Sequence, residues 1–267
     1  MSKKTISTKK AVKAKAAKKK ADQYDSGNYN YLKYWDGRDY EHASEELAIR
    51  RLLRGRHFKN AVDIGGGYGR LCILLKKYAD AVTLAEPSQT QLDIAKDYLK
   101  DDPDVNQTKM QADDLKFKTS SMDLVTMVRV MHHLPDPQKE FSEIARVLHK
   151  DGYLILEVAN YAHGRNRLKH ALKGQKLPTK PVDIRSKKNQ RDEEIAFVNH
   201  NPKTVIKQLA HAGLKVEKAL SVSNLRSAKL KKVIPHAVMV GVERLLQPTL
   251  SKMYFGPSVF FFVRRVK

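Results

Sequence analysis

The sequence predicts an α/β protein built on a mostly parallel sheet that is covered by helices on both faces. From residue 58 onward, short apolar runs of strand type alternate with segments of helical periodicity, and this repeated unit is typical of a parallel sheet. A glycine cluster in the stretch AVDIGGGYGRL, residues 61–71, follows the first predicted strand, where a chain can turn sharply beneath a ligand. The length of 267 residues and the hydrophobic content of 41% allow one core of ordinary α/β size.

The predicted elements alternate along the chain with one long interruption. An amphipathic helix begins at Ser44 and carries four apolar residues through Leu53. Residues 161–199 form a basic, irregular segment that we interpret as an insertion at the rim of the sheet. Strands are predicted at 60–64, 81–86, 105–111, 122–128, 152–160, 214–222 and 257–266. Further helices are predicted at 68–78, 88–99, 137–150, 202–213 and 233–246.

The net charge of +22 is concentrated at the start of the chain, because residues 1–20 hold nine lysines and no acid. This segment and the basic insertion 161–199 attract polyanions, so an anionic membrane surface and RNA are both candidate partners. A simple solvated tail is the alternative for the lysine-rich segment. No obligate protein partner is indicated. The predicted organisation is a disordered basic tail at 1–22, an N-terminal aromatic and helical lid at 23–57, and a main domain at 58–267 that includes the basic insertion 161–199 and an apolar helical segment at 223–257.

The single cysteine and the absence of long apolar runs set the expected compartment. Cys72 lies in the apolar run LCILL, which predicts a buried thiol and excludes an internal disulfide. No apolar run reaches the roughly 18 residues that a membrane span needs, and no apolar segment of a secretory signal follows the first lysines. We therefore expect a cytoplasmic protein.

Two ligands suit a strand that turns through glycines into a helix: a dinucleotide and S-adenosylmethionine. The dinucleotide fingerprint G-x-G-x-x-G would place its third glycine at position 70, where the sequence has Arg70. Instead, Asp63 precedes glycines at the alternate positions 65, 67 and 69. This pattern resembles motif I of the class I S-adenosylmethionine-dependent methyltransferases. S-adenosylmethionine carries a sulfonium and an ammonium and no phosphate, so nearby carboxylates favour its binding.

Later segments extend this resemblance over about residues 58–160. The stretch TLAEP places Glu86 23 residues beyond Asp63, where the family has an acid that bridges the ribose hydroxyls. The stretch QADDLKF resembles the segment that contacts the adenine, with Gln111 in place of the usual aspartate and Asp113 as an alternative contact. The stretches DLVTMVRVMHHLPDP and RVLHKDGYLILEVAN resemble the fourth and fifth strands of the subgroup called type 11 methyltransferases.

The resemblance implies a Rossmann-like sheet with an antiparallel last strand, and S-adenosyl-L-methionine as the cofactor. The implied cofactor-binding residues are Asp63, Gly65, Gly66, Gly67, Glu86, Pro87, Gln111, Ala112 and Val128.

Methyl transfer is an in-line displacement at an activated carbon, so an enzyme mainly aligns the acceptor and excludes water. Judged by the family's register, Arg129 points toward the methyl group, where it could hold an acidic acceptor or form a salt bridge that closes the pocket. Either His132 or His133 could accept a proton, and adjacent residues point in different directions, so at most one faces the acceptor. His132 is the candidate base, with a role in capping the following turn as the alternative. His132 and His133 lack the neighbouring carboxylate or cysteine that a metal site needs, so no metal is predicted.

The acceptor is predicted to be a small apolar or amphipathic molecule. The argument is the segment 233–247, where Ile234, Ala237, Val238, Gly241 and Leu245 share one helical face that could cover a pocket or touch lipid. RNA is the alternative acceptor, favoured by the basic tail and insertion but without interleaved aromatic residues to stack bases. The residues Tyr31, Tyr34, Trp35 and Tyr40 could form a lid over the site or simply pack into the core.

Overall fold

A computed structural model of the chain describes residue 25, residues 31–191 and residues 196–266. The predicted tail, 1–22, lies outside the described residues. The strands are β1 (Phe58–Ile64), β2 (Ala79–Glu86), β3 (Asn106–Lys109), β4 (Met122–Met127), β5 (Leu148–Ala159), β6 (Val182–Asp183), β7 (Val198–Asn199), β8 (Leu214–Val222) and β9 (Ser258–Arg265). The helices are α1 (Tyr31–Tyr34), α2 (Asp39–Leu52), α3 (Cys72–Leu75), α4 (Gln89–Tyr98), α5 (Gln138–Val147), α6 (Gly164–Leu172), α7 (Lys187–Arg191), α8 (Pro202–His211), α9 (Ala228–Val233) and α10 (His236–Thr249). Short 3-10 helices lie at Met131–His133 and Ser251–Met253.

Seven of these strands form one sheet in the order β3-β2-β1-β4-β5-β9-β8. Strands β1 to β5 pair in parallel, and β9 runs antiparallel between β5 and β8. The predicted mostly parallel sheet with an antiparallel last strand is therefore confirmed. Because the strands are parallel, the carboxyl ends of β1, β2, β3, β4 and β5 all meet at one edge, where open α/β sheets bind their ligands.

Helices cover both faces of the sheet and bury the alternating residues of each strand. Ala61 packs in a core with residues of α2, α3 and α4, whereas its neighbour Val62 packs in a second core with residues of α5 and α8. The run Phe260–Phe262 in β9 is wholly buried, because the outer two phenylalanines belong to the first core and Phe261 to the second. A sheet covered on both faces needs apolar residues at consecutive positions, as this run shows.

Several element boundaries differ from the predicted ones for local reasons. The helix predicted at 68–78 is shortened to α3, because the glycine turn occupies its first residues. Helix α2 begins at Asp39 rather than Ser44, and Asp39 and Glu41 place negative charge in its first turn, which complements the helix dipole. The segment 161–199 is not irregular throughout, since it contains α6 and α7. No helix among the described residues is long and apolar enough to cross a bilayer.

The predicted apolar face of the segment 233–247 does not pack against the described residues, and its contact with lipid stays a prediction. Val238 and Leu245 are exposed, and the buried residues of α10 are Met239, Glu243 and Gln247. The reason is a polar network: the Glu243 carboxylate accepts hydrogen bonds from the Tyr40 hydroxyl at 2.7 Å and from the Ser223 backbone N–H at 2.8 Å. Buried polar groups that are fully hydrogen-bonded hold a helix in place as firmly as apolar ones.

Candidate active site

The glycine turn after β1 has a shape that side chains would disrupt. Gly65 and Gly67 have φ angles of 64° and 60°, a region in which residues with a Cβ are strained. The Gly65 backbone N–H donates to the Ala85 carbonyl of β2 at 2.7 Å. A Cβ on Gly66 would lie 2.5 Å from the Asp63 Oδ2 atom and 2.6 Å from the Leu84 side chain. The turn therefore brings bare backbone close to the Asp63 carboxylate.

Asp63, the penultimate residue of β1, carries a buried carboxylate that forms no ion pair with any described residue. Its Oδ1 atom accepts a hydrogen bond from the Thr126 hydroxyl at 2.5 Å. Burial raises the pKa of Asp63 to about 6, although the Thr126 hydrogen bond and the charge of Arg70 oppose the rise. A buried carboxylate without an ion-pair partner among the described residues would be stabilised by a cation bound beside it.

Cofactor binding is therefore expected to strengthen as the pH rises through about 6. A bound ammonium favours the ionised form of Asp63, so protonation of Asp63 competes with binding, and affinity falls by up to about tenfold per pH unit below that pKa. Calorimetric titration with S-adenosylmethionine at pH 5 to 7.5 measures the effect. The Asp63→Asn variant should bind weakly with a flat profile. A wild-type affinity that is constant over this range would contradict the role of Asp63.

Glu86 ends β2 beside the glycine turn. Its carboxylate accepts hydrogen bonds from the Gly67 backbone N–H at 2.8 Å and from the Ser88 backbone N–H at 3.0 Å. Pro87, between Glu86 and Ser88, is partly exposed. The Asp25 carboxylate accepts hydrogen bonds from the Ser88 hydroxyl at 2.6 Å and the Thr90 backbone N–H at 3.1 Å. Asp25 therefore contacts the start of α4, next to Glu86.

The residues predicted to contact adenine lie just beyond β3, the strand next to β2. The Met110 backbone N–H donates to the Glu86 carbonyl at 3.3 Å, and this contact joins the two strand ends. The side chains of Gln111 and Asp113 are both exposed, and Ala112 packs partly against the second core. The structure thus brings Gln111 and Ala112 to the same sheet edge as Asp63 and Glu86, and the choice between Gln111 and Asp113 stays a prediction.

At the end of β4, Val128 is buried and Arg129 adopts a left-handed backbone conformation with φ of 61°. This conformation, which is uncommon for a residue with a side chain, aims the Arg129 backbone N–H at the buried carboxylate of Glu157, 3.2 Å away. Burial raises the pKa of Glu157, and the Arg129 charge opposes that rise. The Arg129 backbone is therefore fixed by the Glu157 carboxylate.

The side chain of Arg129 forms an ion pair with Glu45 of α2, a residue that the sequence analysis did not single out. Arg129 approaches the Glu45 Oε1 atom to 2.5 Å, and Arg70 approaches Oε2 to 2.6 Å. Burial by itself would raise the pKa of Glu45, but the two guanidiniums more than offset it and hold the pKa below its usual 4.5. The salt-bridge alternative for Arg129 is the one observed, and contact with an acceptor stays a prediction. The sequence offers one clue to Glu45: Arg70 is a cation beside the glycine turn, and a buried cation there needs an acidic partner.

Two aromatic residues of the predicted lid lie on this ion pair. The Arg70 guanidinium is 3.8 Å from the centroid of the Trp35 ring, and that of Arg129 is 4.9 Å from it. The Tyr34 hydroxyl accepts a hydrogen bond from Arg129 at 3.1 Å. Tyr40, by contrast, is buried against Glu243 and belongs to the core. The side chain of Tyr31 lies outside what the structure describes.

His132 lies in the short 3-10 helix that begins two residues after Arg129, and its imidazole packs against two other rings. Its ring centroid is 4.0 Å from that of His133 and 4.3 Å from that of Phe197, a residue of the 161–199 segment. Burial, reinforced by His133, Arg129 and His200, lowers the pKa of His132 well below its usual value. His132 is thus neutral near pH 7, and neither of its ring nitrogens is hydrogen-bonded to a described residue.

A family model described as a methyltransferase domain matches residues 62–156, the part of the chain that forms this sheet edge. This part of the chain is similar to methyltransferase domains. The chain is 27% identical to a ubiquinone biosynthesis O-methyltransferase of Coxiella burnetii over 109 residues, which are 40% of this chain and 45% of that relative. The alignment therefore spans less than half of the relative's length.

Solved structures extend the likeness in fold to nearly the whole chain. A chain in the complex between the Haloferax volcanii Trm112 methyltransferase activator and a methyltransferase has a TM-score of 0.62 at 18% identity, covering 92% of this chain and 99% of that one. A SAM-dependent methyltransferase from Thermotoga maritima has a TM-score of 0.61 at 21% identity, covering 88% and 94%. At these identities the structures show a shared fold.

Proposed function

We propose that this chain transfers a methyl group from S-adenosylmethionine to a small, apolar or amphipathic acceptor. The observation that supports the acceptor class is the surroundings of His132: a neutral imidazole among the rings of His133 and Phe197, beside the end of β4. Such a lining suits a planar or apolar molecule better than a charged polymer. The methyltransferase domain at residues 62–156 supports the reaction class.

The residues at the sheet edge fit S-adenosylmethionine. Asp63 offers a buried carboxylate without an ion-pair partner among the described residues, which suits the ammonium of the methionine moiety. Glu86, oriented by two backbone N–H groups, suits the ribose hydroxyls, because a carboxylate can accept two hydrogen bonds at once. Gln111 and Ala112 would contact the adenine, and Val128 would border the bound cofactor. The bound molecule supplies a methyl group that its positive sulfur activates toward nucleophiles.

The remaining work of the chain is alignment and proton transfer. In our proposal His132 accepts the proton that a hydroxyl or amine acceptor loses. A neutral imidazole whose ring nitrogens form no hydrogen bond to a described residue is suited to this role. Arg129 and Arg70 both form ion pairs with Glu45. Arg70 packs on the Trp35 ring and Arg129 donates a hydrogen bond to the Tyr34 hydroxyl, so both aromatic residues are positioned at the end of the sheet. Exclusion of water there favours attack by the acceptor over side reactions.

The matched pair of adjacent histidines tests the proposal. His132→Gln should lower kcat by about 100-fold with little change in KM or in cofactor affinity, because general-base catalysis typically contributes that much. His133→Gln should have a much smaller effect. The His133 Nδ1 atom lies 3.3 Å from the Ala196 carbonyl oxygen, so this ring nitrogen is already engaged by the backbone and does not face an acceptor. Equal losses in the two variants would contradict the assignment of His132.

RNA is the second candidate acceptor, and the basic insertion is the observation that favours it. The two classes separate in one screen: labelled S-adenosylmethionine is incubated with the protein and either a cellular lipid extract or total RNA. Label in the lipid-soluble fraction alone supports the small acceptor. Label that appears only in RNA would replace it, and label in neither fraction would contradict the proposed activity on both.

A further inference from the structure

Helix α6 presents an exposed face that mixes leucines with cations. Leu168 and Leu172 are 62% and 80% exposed, and Arg165, Lys169 and Lys173 are exposed beside them. The spacing i, i+3, i+4, i+7, i+8 puts all five side chains on one side of the helix. They line a single shallow depression of the surface. The face is therefore one continuous amphipathic patch, which we call the α6 face.

The apolar residues of the α6 face do not stabilise the fold. No residue of α6 is buried. The helix is held instead by polar contacts at its start: the Gly164 backbone N–H donates to the Phe255 carbonyl at 2.8 Å, and Asn166 donates to the Tyr161 carbonyl at 2.8 Å. A large apolar side chain that stays in water gains nothing from folding, so a pair of leucines on one face indicates a surface that binds something.

The charge around the α6 face has one sign. Residues 161–182 contain six lysines and arginines and no aspartate or glutamate. None of the exposed cations Arg165, Lys169 and Lys173 forms an ion pair with a described residue. Long cationic side chains can lie along apolar surface while their charges reach outward, as they do at the boundary between lipid tails and headgroups. The patch is thus complementary to a surface that is both apolar and anionic.

We infer that the α6 face binds the surface of an anionic lipid bilayer, with the leucines inserted at the headgroup boundary and the cations against lipid phosphates. RNA would use the cations but leave Leu168 and Leu172 without a role, so the leucines favour the bilayer. Helix α6 follows the carboxyl end of β5, which lies at the same sheet edge as the candidate active site. Docking through α6 would place that edge next to the membrane. Vesicle binding needs neither the cofactor nor the acceptor, so its test stands apart from that of the proposed function.

The decisive measurement is insertion, because the lysines of residues 1–20 can hold the chain on an anionic surface by charge alone. In the full-length Leu172→Trp variant, vesicles of phosphatidylglycerol and phosphatidylcholine should shift the emission of the introduced indole to the blue. Brominated acyl chains should quench it. The Leu245→Trp variant is the matched control, since Leu245 is 68% exposed on α10, and its emission should not change. Vesicles of phosphatidylcholine alone and a short RNA should leave both variants unchanged.

A second pair of variants separates apolar from electrostatic binding. Leu168→Ser combined with Leu172→Ser should weaken partition into anionic vesicles by about tenfold or more, especially at high salt. Lys169→Gln combined with Lys173→Gln should weaken it mainly at low salt. An indole at position 172 that brominated lipid does not quench would overturn the inference, as would a response to RNA only or a stronger response from position 245. Because all four positions are exposed, these variants should fold, which circular dichroism can verify.

Discussion

Replacing Glu45 by alanine should lower the free energy of unfolding by about 3 kcal/mol, because it leaves two largely buried arginines without their shared partner. Arg70 lies at the glycine turn and Arg129 at the end of β4, so the change affects the site from both sides. Denaturation by urea, followed by circular dichroism, measures the loss. Cofactor affinity should fall as well, since Tyr34 and Trp35 are held against the site through the same two arginines.

The neighbouring Glu46 offers a matched control for this experiment. Glu46 forms an ion pair with Arg50 one turn along α2 at 3.2 Å, and both side chains are partly exposed. Exposed pairs of this kind contribute less than about 1 kcal/mol, so Glu46→Ala should be nearly neutral. Equal losses for the two variants would show that Glu45 acts only as a helix residue and does not join the two arginines.

Replacing Glu86 by alanine should weaken binding of S-adenosylmethionine by at least about 100-fold. The physical reason is the loss of a carboxylate that would accept two charge-assisted hydrogen bonds, each contributing about 1.5–3 kcal/mol. Calorimetry with S-adenosylmethionine and with its demethylated product measures the change. Because Glu86 also accepts hydrogen bonds from the Gly67 and Ser88 backbone N–H groups, the ligand-free variant should unfold at a somewhat lower temperature.

Two further variants separate the ligand contact from the fold. Glu86→Gln keeps one acceptor oxygen for the turn, so it should restore much of the stability but little of the cofactor affinity. Asp80→Ala removes the exposed acid at the other end of β2 and should leave binding unchanged. A folded Glu86→Ala protein that binds with wild-type affinity would refute the assignment of Glu86 to the ribose.

The parts of the site that lie in continuous motifs were predictable from the sequence. Asp63 and Glu86 lie at the carboxyl ends of β1 and β2, and the glycine turn follows β1 directly. The parallel sheet brings these strand ends together by geometry alone. Glu45 could not be found in this way, because its partners are 25 and 84 residues distant and only the fold brings them together. Arg70 excluded a dinucleotide from the sequence alone, yet its ion pair with Glu45 needed the structure.

The apolar segment at 233–247 shows why periodicity fails on some helices. Its apolar residues lie on several sides, so the pattern does not choose which face packs inward. The choice is made by Glu243, which hydrogen-bonds to Tyr40 and Ser223, residues far from it in the sequence. Pattern arguments assume that polar residues face water, and a fully hydrogen-bonded buried carboxylate reverses that assumption.

The position of β9 has a consequence for how the chain can be made. This strand pairs with β5 on one side and β8 on the other, although it follows both of them along the sequence. While the ribosome is still adding residues 160–257, the edge of β5 that will receive β9 stays unpaired, with apolar side chains on both faces. Free strand edges of this kind recruit other chains. The sheet can therefore close only after residues 258–265 have been made and have inserted between β5 and β8.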